Sequence, residues 1–464
     1  MSMRRKVCFL VSLMIILTSL LPGASFGEKA GVFESPEEAE RFVSDMLTGK
    51  GGAWEDRVRL SSMMVLAILP YGGLQGLGET LTLQLGQAGT VGPAYMAEGE
   101  NSILYRVPCT FAAQPLDIGI SVQDGEITGI VTLPFTGSLK GSSEENDGYR
   151  SIALELPVPG LNGALPGTLT VPDGEGPFPA VVLVHGSGPS NRDETTGQLS
   201  PFRDIAEGLA AKGIAVYRYD KRTYVYGAQM AADHSITLMD ETIDDAVQAV
   251  RLLAGQEGID PGRIYVAGHS LGAMALPAVD RELENEAVKA CGYIFLAPGA
   301  RPLDVTMREQ YDYLYSLMPE VPQEALAEKE ALFRDLDRLN DPASLTDDDV
   351  IAGAYAPYWR WLNDYTQSMM AMAGEIAEPC LLMQGEEDYQ VTMTDFALWK
   401  DAVCGKSNWT LISYPGLTHA FVHGQKTEGA AVYARSQRVD QQVIDDLAAF
   451  ILDQDASVRN GETR

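Results

Sequence analysis

"GRIYVAGHSLGAMAL", residues 262–276, reads as a short apolar strand that runs into a serine framed by two glycines and continues as a helix. A strand that turns directly into a helix at a serine is the arrangement that exposes a nucleophilic hydroxyl above a sheet. Gly268 and Gly272 permit the strained turn and close strand-to-helix packing. The helix start aims free N–H groups and the positive end of its dipole at whatever lies above Ser270. The same Gly-x-Ser-x-Gly pattern recurs as "GASFG" at 23–27, with no strand before it and no amphipathic helix after it, so that match is chance.

A serine hydroxyl attacks a carbonyl only if a base takes its proton, an acid orients the base and donors await the oxyanion. The chain has five histidines. His185 lies in a Gly-rich turn, His269 is inside the Ser270 turn, and His234 sits in a polar stretch before a helix. His419, in "YPGLTHAF", follows the last apolar strand, where the order Ser, acid, His places the base. His423 is the alternative, and otherwise a surface histidine. "LLMQGEEDYQV" (381–391) ends a strand with three carboxylates, of which Asp388 best fits the first loop position past the turn. Glu386 and Glu387 read as solvated, and Asp395 as too far into the next helix. "LVHGSGP" (183–189) supplies a turn whose backbone can complete an oxyanion hole: Leu271 N–H with that of Ser187, or alternatively Gly186. This chemistry requires no metal and no organic cofactor.

Around these residues the chain alternates strands and helices, the sign of a mostly parallel sheet covered on both faces. "AVVLVHG", "IAVYRYD", "RIYVAGHS", "GYIFLAPG", "CLLMQGEED" and "WTLISYPG" are continuous apolar runs of buried strands, after two opening candidates, "SIALELPV" and "GALPGTLTVP". In "TLMDETIDDAVQAVRLL", Met239, Ile243, Ala246, Val247 and Val250 recur at helical spacing. Residues 302–377 are too many for a simple crossover and read as a helical cap carrying Tyr311, Tyr313, Tyr315, Tyr358, Trp359, Trp361 and Tyr365, either packed or lining a pocket. Upstream, "SPEEAERFVSDML" starts a helix with Ser35 as cap and Pro36 at its first position. "NSILYRVPCTF", "QPLDIGISVQ" and "GEITGIVTLPF" are strand candidates, with a hairpin turn at 124–126. The expected plan is a signal peptide at 1–27, a small α+β domain at 28–140, a linker at 141–149 that overlaps the polar stretch 136–148, and an α/β catalytic domain at 150–455.

The opening "MRRKVCFLVSLMIILTSLLPGASFG" (3–27) places three cations before about 15 mostly apolar residues and a small-residue cleavage region, as in an export signal. That run is shorter than the roughly 20 residues a span needs, and no second long run follows, so no membrane span is expected in the mature chain. Localisation is therefore expected to be extracytoplasmic. The net charge is −30; removing Arg4, Arg5 and Lys6 from 34 basic residues leaves 31 against 64 acidic ones, or −33. A surface so acidic argues against nucleic acid and anionic membranes as partners. Cys109, Cys291, Cys380 and Cys404 lack metal spacing, and an oxidising compartment would allow one disulfide, such as Cys380 to Cys404.

"LVHGSGPSNRDET", "PFRDIAEGLAAKGIAVYRYDKRT", "ETIDDAVQAVRLL", "GHSLGAMALP", "QGEEDYQV" and "GLTHAF" together resemble the α/β-hydrolase superfamily. More narrowly they are similar to secreted bacterial serine esterases related to serine-aminopeptidase-like hydrolases. The resemblance covers most of residues 150–450. It implies a mostly parallel eight-stranded sheet, a small-molecule ester as substrate, and Ser270, Asp388 and His419 as nucleophile, acid and base. Peptide hydrolysis on the same fold is the alternative, and a non-catalytic envelope protein a more distant one. The upstream segment resembles a cystatin-like or nuclear-transport-factor-like domain that could serve docking or homo-oligomerisation. Ala273 departs from the family's usual second glycine, so its methyl is expected near the helix start. Arg192, Asp193, Asp220 and Lys221 have the family's look but no assigned step; they either form a buried ion network or orient substrate.

Overall fold

The computed structural model describes residues 32–33, 35–55, 57–61, 64, 68, 73–86, 88–92, 94–98, 103–111, 115–123, 125–133, 148–158, 163–196, 199–286, 288–318, 321, 323–435 and 437–459. The expected signal region and most of the linker lie outside them. The chain divides into two compact units, residues 1–144 and 145–464.

In the first unit the helix Pro36–Leu47 starts at Pro36, with Ser35 extended before it but not capping through its side chain. Ala39, Phe42, Val43, Met46 and Leu47 form its buried stripe, and Phe42 meets Trp54 edge to face at 5.4 Å. A five-stranded antiparallel sheet follows: β1 (Ala88–Val91), β2 (Tyr95–Glu98), β3 (Ile103–Phe111), β4 (Pro115–Gln123) and β5 (Glu126–Leu133). β3 is central, flanked by β4 and by both β1 and β2. Gly125, at φ 75°, turns β4 into β5 with Gln123 opposite Glu126. β1 and β2 escaped the sequence reading because they are four residues long and carry no continuous apolar run.

The second unit is an eight-stranded sheet. Its strands are β6 (Tyr149–Ala153), β9 (Gly167–Pro172), β10 (Phe178–Val184), β11 (Ala215–Tyr219), β12 (Ile259–His269), β13 (Gly292–Leu296), β16 (Cys380–Gly385) and β17 (Trp409–Tyr414). Two-residue pairs, β7 (Leu156–Pro157) with β8 (Ala164–Leu165) and β14 (Val350–Ile351) with β15 (Ala354–Tyr355), stand apart from it. The spatial order is β17-β16-β13-β12-β10-β11-β9-β6. All pairings from β11 to β17 are parallel, and β9 and β6 add antiparallel strands at one edge.

The central strands are buried on both faces because helices cover both. Val181, Leu183, Ile294 and Leu381 pack with Phe202 and Ile205 of the helix Pro201–Ala210 and with Val443 and Leu447 of the helix Gln441–Arg459. Their neighbours Ala180, Val182, Phe295 and Leu382 face the other way, onto the helices Asp244–Ala254 and Leu271–Asn285. Each fully buried aliphatic side chain contributes about 1.5–3 kcal/mol. This alternation between two apolar faces is why the strands read as unbroken hydrophobic runs.

Between β13 and β16 lie the helices Leu303–Ser316, Gln323–Asp337 and Ala356–Glu375. The last of these belongs to the main core: Trp359, Leu362, Tyr365 and Met369 are buried, and Tyr365 Oη donates to Met274 O at 2.7 Å. Those aromatics are packing residues. Cys109, Cys291, Cys380 and Cys404 are all free, so the Cys380–Cys404 disulfide that the sequence allows does not form; Cys380 is buried in β16 whereas Cys404 is exposed. No helix among the described residues is long and apolar enough to cross a membrane.

Candidate active site

Parallel strands end on one edge of a sheet, so the loops after β10, β12, β16 and β17 gather there. Ser270 follows β12 directly, at φ 55° and ψ −116°, a left-handed conformation that a side chain adopts only under constraint. The constraint is visible: Ser270 N–H donates to Leu296 O at 2.8 Å, and Met274 N–H closes back onto Ser270 O at 2.9 Å. A Cβ on Gly272 would lie 2.4 Å from both Val184 O and His185 O, so only glycine lets this helix approach the end of β10. A Cβ on Gly268 would strike Gly272 C at 2.4 Å. Ala273, in the first turn of the helix Leu271–Asn285, is fully buried and packs in the main core.

His419 Nδ1–H donates to Asp388 Oδ2 at 2.6 Å, with both side chains buried. Asp388 is fixed from three further sides: Oδ1 accepts from the N–H groups of Gln390 (2.7 Å) and Val391 (3.0 Å), and Oδ2 from Gln384 Nε2 (3.1 Å). A carboxylate receiving that many donors is held in one orientation. Glu386 and Glu387 turn elsewhere, accepting from the Ser413 hydroxyl and from Lys426 N–H. Asp395 lies in the next helix, paired with Arg301. The structure thus brings Asp388 and His419 into contact, while Ser270 Oγ makes no hydrogen bond among the described residues.

Of the other histidines, His423 is 71% exposed and pairs with Asp440 at 2.9 Å, and His234 stacks on Tyr355 at the surface. Burial pushes His185 down to about 4, against the pull of Glu194, and its Nε2 lies 3.1 Å from Asn191 O. That leaves it a neutral brace of its turn.

The turn after β10 abuts the serine: a Cβ on Gly186 would lie 3.2 Å from Ser270 Cβ. Gly186 itself must be struck from the oxyanion donors, because its N–H already donates to Glu194 Oε1 at 2.6 Å. Ser187 N–H has no partner among the described residues, and Leu271 N–H lies in the first helical turn, where no intrahelical carbonyl reaches it.

Two groups here were missed in the sequence. Glu194 Oε2 lies 2.8 Å from His269 Nδ1, and His269 Nε2 lies 3.0 Å from His419 O. The first contact is short but angularly poor, so charge holds it more than a directed hydrogen bond. Burial alone would push His269 down and Glu194 up; their mutual attraction outweighs it, leaving His269 above its ordinary value and Glu194 below. The only signal available was the presence of both residues inside motifs already noted, GHSLG and NRDET. The four charges singled out in the sequence fall into three separate ion pairs rather than one buried network: Arg192 with Asp220, Asp193 with Arg218, and Lys221 with Glu241, with Arg192 and Asp193 partly exposed.

A family model described as serine aminopeptidase, S33, matches residues 176–426. Esterase EstD of Thermotoga maritima is 33% identical over 425 residues, 91% of this chain and 96% of that protein. Among solved structures, Est1E from Butyrivibrio proteoclasticus matches at 18% identity and a TM-score of 0.42, over 66% of this chain and 99% of that one. EstE1, a thermophilic carboxylesterase cloned from a metagenomic library, matches at 18% identity and a TM-score of 0.44, over 66% and 89%.

Proposed function

The chain belongs to the serine aminopeptidase S33 family of α/β-hydrolases, and from that membership we propose that it is a serine carboxylesterase working through an acyl-enzyme. The observation that carries this is the buried 2.6 Å contact of His419 with Asp388 at the strand tips, on the same edge of the sheet as the strained turn of Ser270, with β13 between their strands. Ser270 Oγ attacks the ester carbonyl as His419 Nε2 takes its proton. Asp388 holds Nδ1–H and stabilises the imidazolium. Leu271 N–H and Ser187 N–H receive the oxyanion. His419 then protonates the departing alcohol, and water, activated by the same base, releases the acid.

The full-length likeness to a protein named as an esterase supports ester over amide. Short acyl chains are proposed as the preferred substrates; Tyr313 from the insertion stacks on Tyr389, the residue after Asp388, at 5.9 Å, which brings the insertion beside the acid's loop. The apolar run 7–21 behind Arg4, Arg5 and Lys6 supports export. The family description favours one second reading, a peptidase of short peptides. Turnover of p-nitrophenyl butyrate against aminoacyl-anilides, with Ser270→Ala as control, decides. Esterase activity lost in Ser270→Ala, with anilides at background, is the expected result; anilide turnover exceeding ester turnover overturns it.

A further inference from the structure

"NRDET" (191–195) and "RYDKR" (218–222) have no step in the reaction above, yet their charges converge on the turn that carries Ser187. Arg192 forks onto Asp220 through Nε and Nη2, both at 2.9 Å, and Arg218 Nε donates to Asp193 at 2.7 Å. Arg192 N–H donates to Asp220 Oδ1 at 2.8 Å, and Lys221 N–H to Ser190 O at 2.9 Å. These contacts tie the two segments together and fix the loop.

Lys221 does something else. Its ammonium is 2% exposed and donates to Gly186 O at 2.8 Å and to Glu241 Oε1 at 2.5 Å. Glu241 is brought there by a π-helical turn, Met239–Ile243, that opens the helix continuing through Ala254, and Tyr358 also hydrogen-bonds it. Such wide turns recur at functional sites. Gly186 is therefore gripped from both sides, its N–H by Glu194 and its C=O by Lys221.

The carbonyl that Lys221 touches belongs to the same peptide unit as Ser187 N–H. A cation on an amide oxygen draws charge along the amide and makes its N–H a stronger donor, besides fixing the peptide plane. Burying an ammonium is costly even when it is paired. A neutral amide side chain could tether Gly186 O equally well if tethering were all that was needed.

We propose that Lys221, held by Glu241, is a positioning residue for the reaction: it orients and polarises the 186–187 peptide so that Ser187 N–H stabilises the oxyanion. This rests on the esterase reading above, in which Ser187 N–H is an oxyanion donor.

The test measures kcat and KM for p-nitrophenyl butyrate, and inhibition by an alkyl trifluoromethyl ketone, whose adduct with the serine carries the oxyanion. The corresponding methyl ketone serves as a ground-state probe. Lys221→Met is expected to lower kcat about 10- to 100-fold, below the 10²–10³ cost of deleting a whole donor. KM and methyl ketone binding should stay within about 2-fold, and trifluoromethyl ketone affinity should fall in step with kcat. Ser187→Pro removes the N–H itself; adding Lys221→Met to it should cost nothing further on the trifluoromethyl ketone, since Lys221 acts through that N–H. Should Lys221→Met not fold, Glu241→Gln keeps the cation but loosens it, with a smaller parallel loss of about 3- to 10-fold expected.

Unchanged kcat and trifluoromethyl ketone affinity in the folded variant, or full additivity in the double variant, overturns the inference. The two readings fail differently. Activity surviving in Ser270→Ala sinks the triad, and unchanged trifluoromethyl ketone affinity in Ser187→Pro sinks the oxyanion assignment. A silent Lys221→Met with both of those intact sinks the role of Lys221 alone.

Discussion

Two histidine–carboxylate pairs lie side by side at the strand tips, His419 with Asp388 and His269 with Glu194, their imidazole rings 4.5 Å apart. Both are buried, and in both Nδ1 faces the carboxylate. They differ at the other nitrogen. His269 Nε2 is committed to His419 O, whereas His419 Nε2 has no partner among the described residues. Burial beside a carboxylate therefore does not by itself leave a ring available for proton transfer; a second nitrogen without a partner does. The tied pair instead joins the three loops of the site, since Glu194 also holds Gly186 and His269 holds the backbone of His419.

The sharpest way to break the comparison is to delete the ring whose second nitrogen is free. His419→Ala should cost about 10⁶-fold in kcat, the scale seen when a triad base is removed. Asp388→Asn should cost about 10⁴-fold with the fold intact, because its amide can still accept from Gln390 and Val391; a loss below 10-fold would remove Asp388 from the mechanism.

Glu194→Gln reverses the balance, acting more on stability than on chemistry. Leaving a buried partner uncompensated costs on the order of 3 kcal/mol, with a secondary loss of activity through Gly186. The pH dependence has a definite sign. Because His269 is raised above 6.5, its stabilisation is complete below that pH and is lost as pH rises through the raised value. Because Glu194 is lowered below 4.5, its share is present above that pH and lost as pH falls through the lowered value. The melting temperature of the native protein should therefore exceed that of Glu194→Gln most between about pH 4.5 and 6.5, with the gap narrowing on the alkaline side. A gap that widens with alkalinity contradicts the pairing.

The smallest effects belong to groups outside both pairs. Tyr365→Phe removes one buried hydrogen bond to Met274 O and should cost about 1 kcal/mol in denaturant unfolding, with kcat unaltered. His423→Ala should change stability by less than about 0.5 kcal/mol and activity by less than 2-fold; a large kcat loss there would reopen the choice of base.

The sequence shows the strands of the second unit because each is apolar on both faces, and it shows Ser270 because a strand, a forced turn and a helix are all local. Asp388 and His419 were legible for the same reason: each lies a few residues past a recognisable strand end. Gly186 was misjudged because its competing acceptor, Glu194, is eight residues away in a loop with no periodicity. The tail of the 302–377 segment looked like cap, yet the helix Ala356–Glu375 is core, since its Met and aromatic stripe suits either packing partner.

What the sequence determined by itself, then, is the layered α/β plan and the placing of Ser270, Asp388 and His419 just past strand ends, because hydrophobic periodicity and turn chemistry act over a few residues. Only the tertiary structure decided which charges matter. In a chain with 64 acidic residues, Glu194 and Glu241 look like solvated surface. Folding buries them against His269 and Lys221, and burial turns an ordinary carboxylate into a fixed partner, because removing water strengthens a charge's hold on its nearest neighbour.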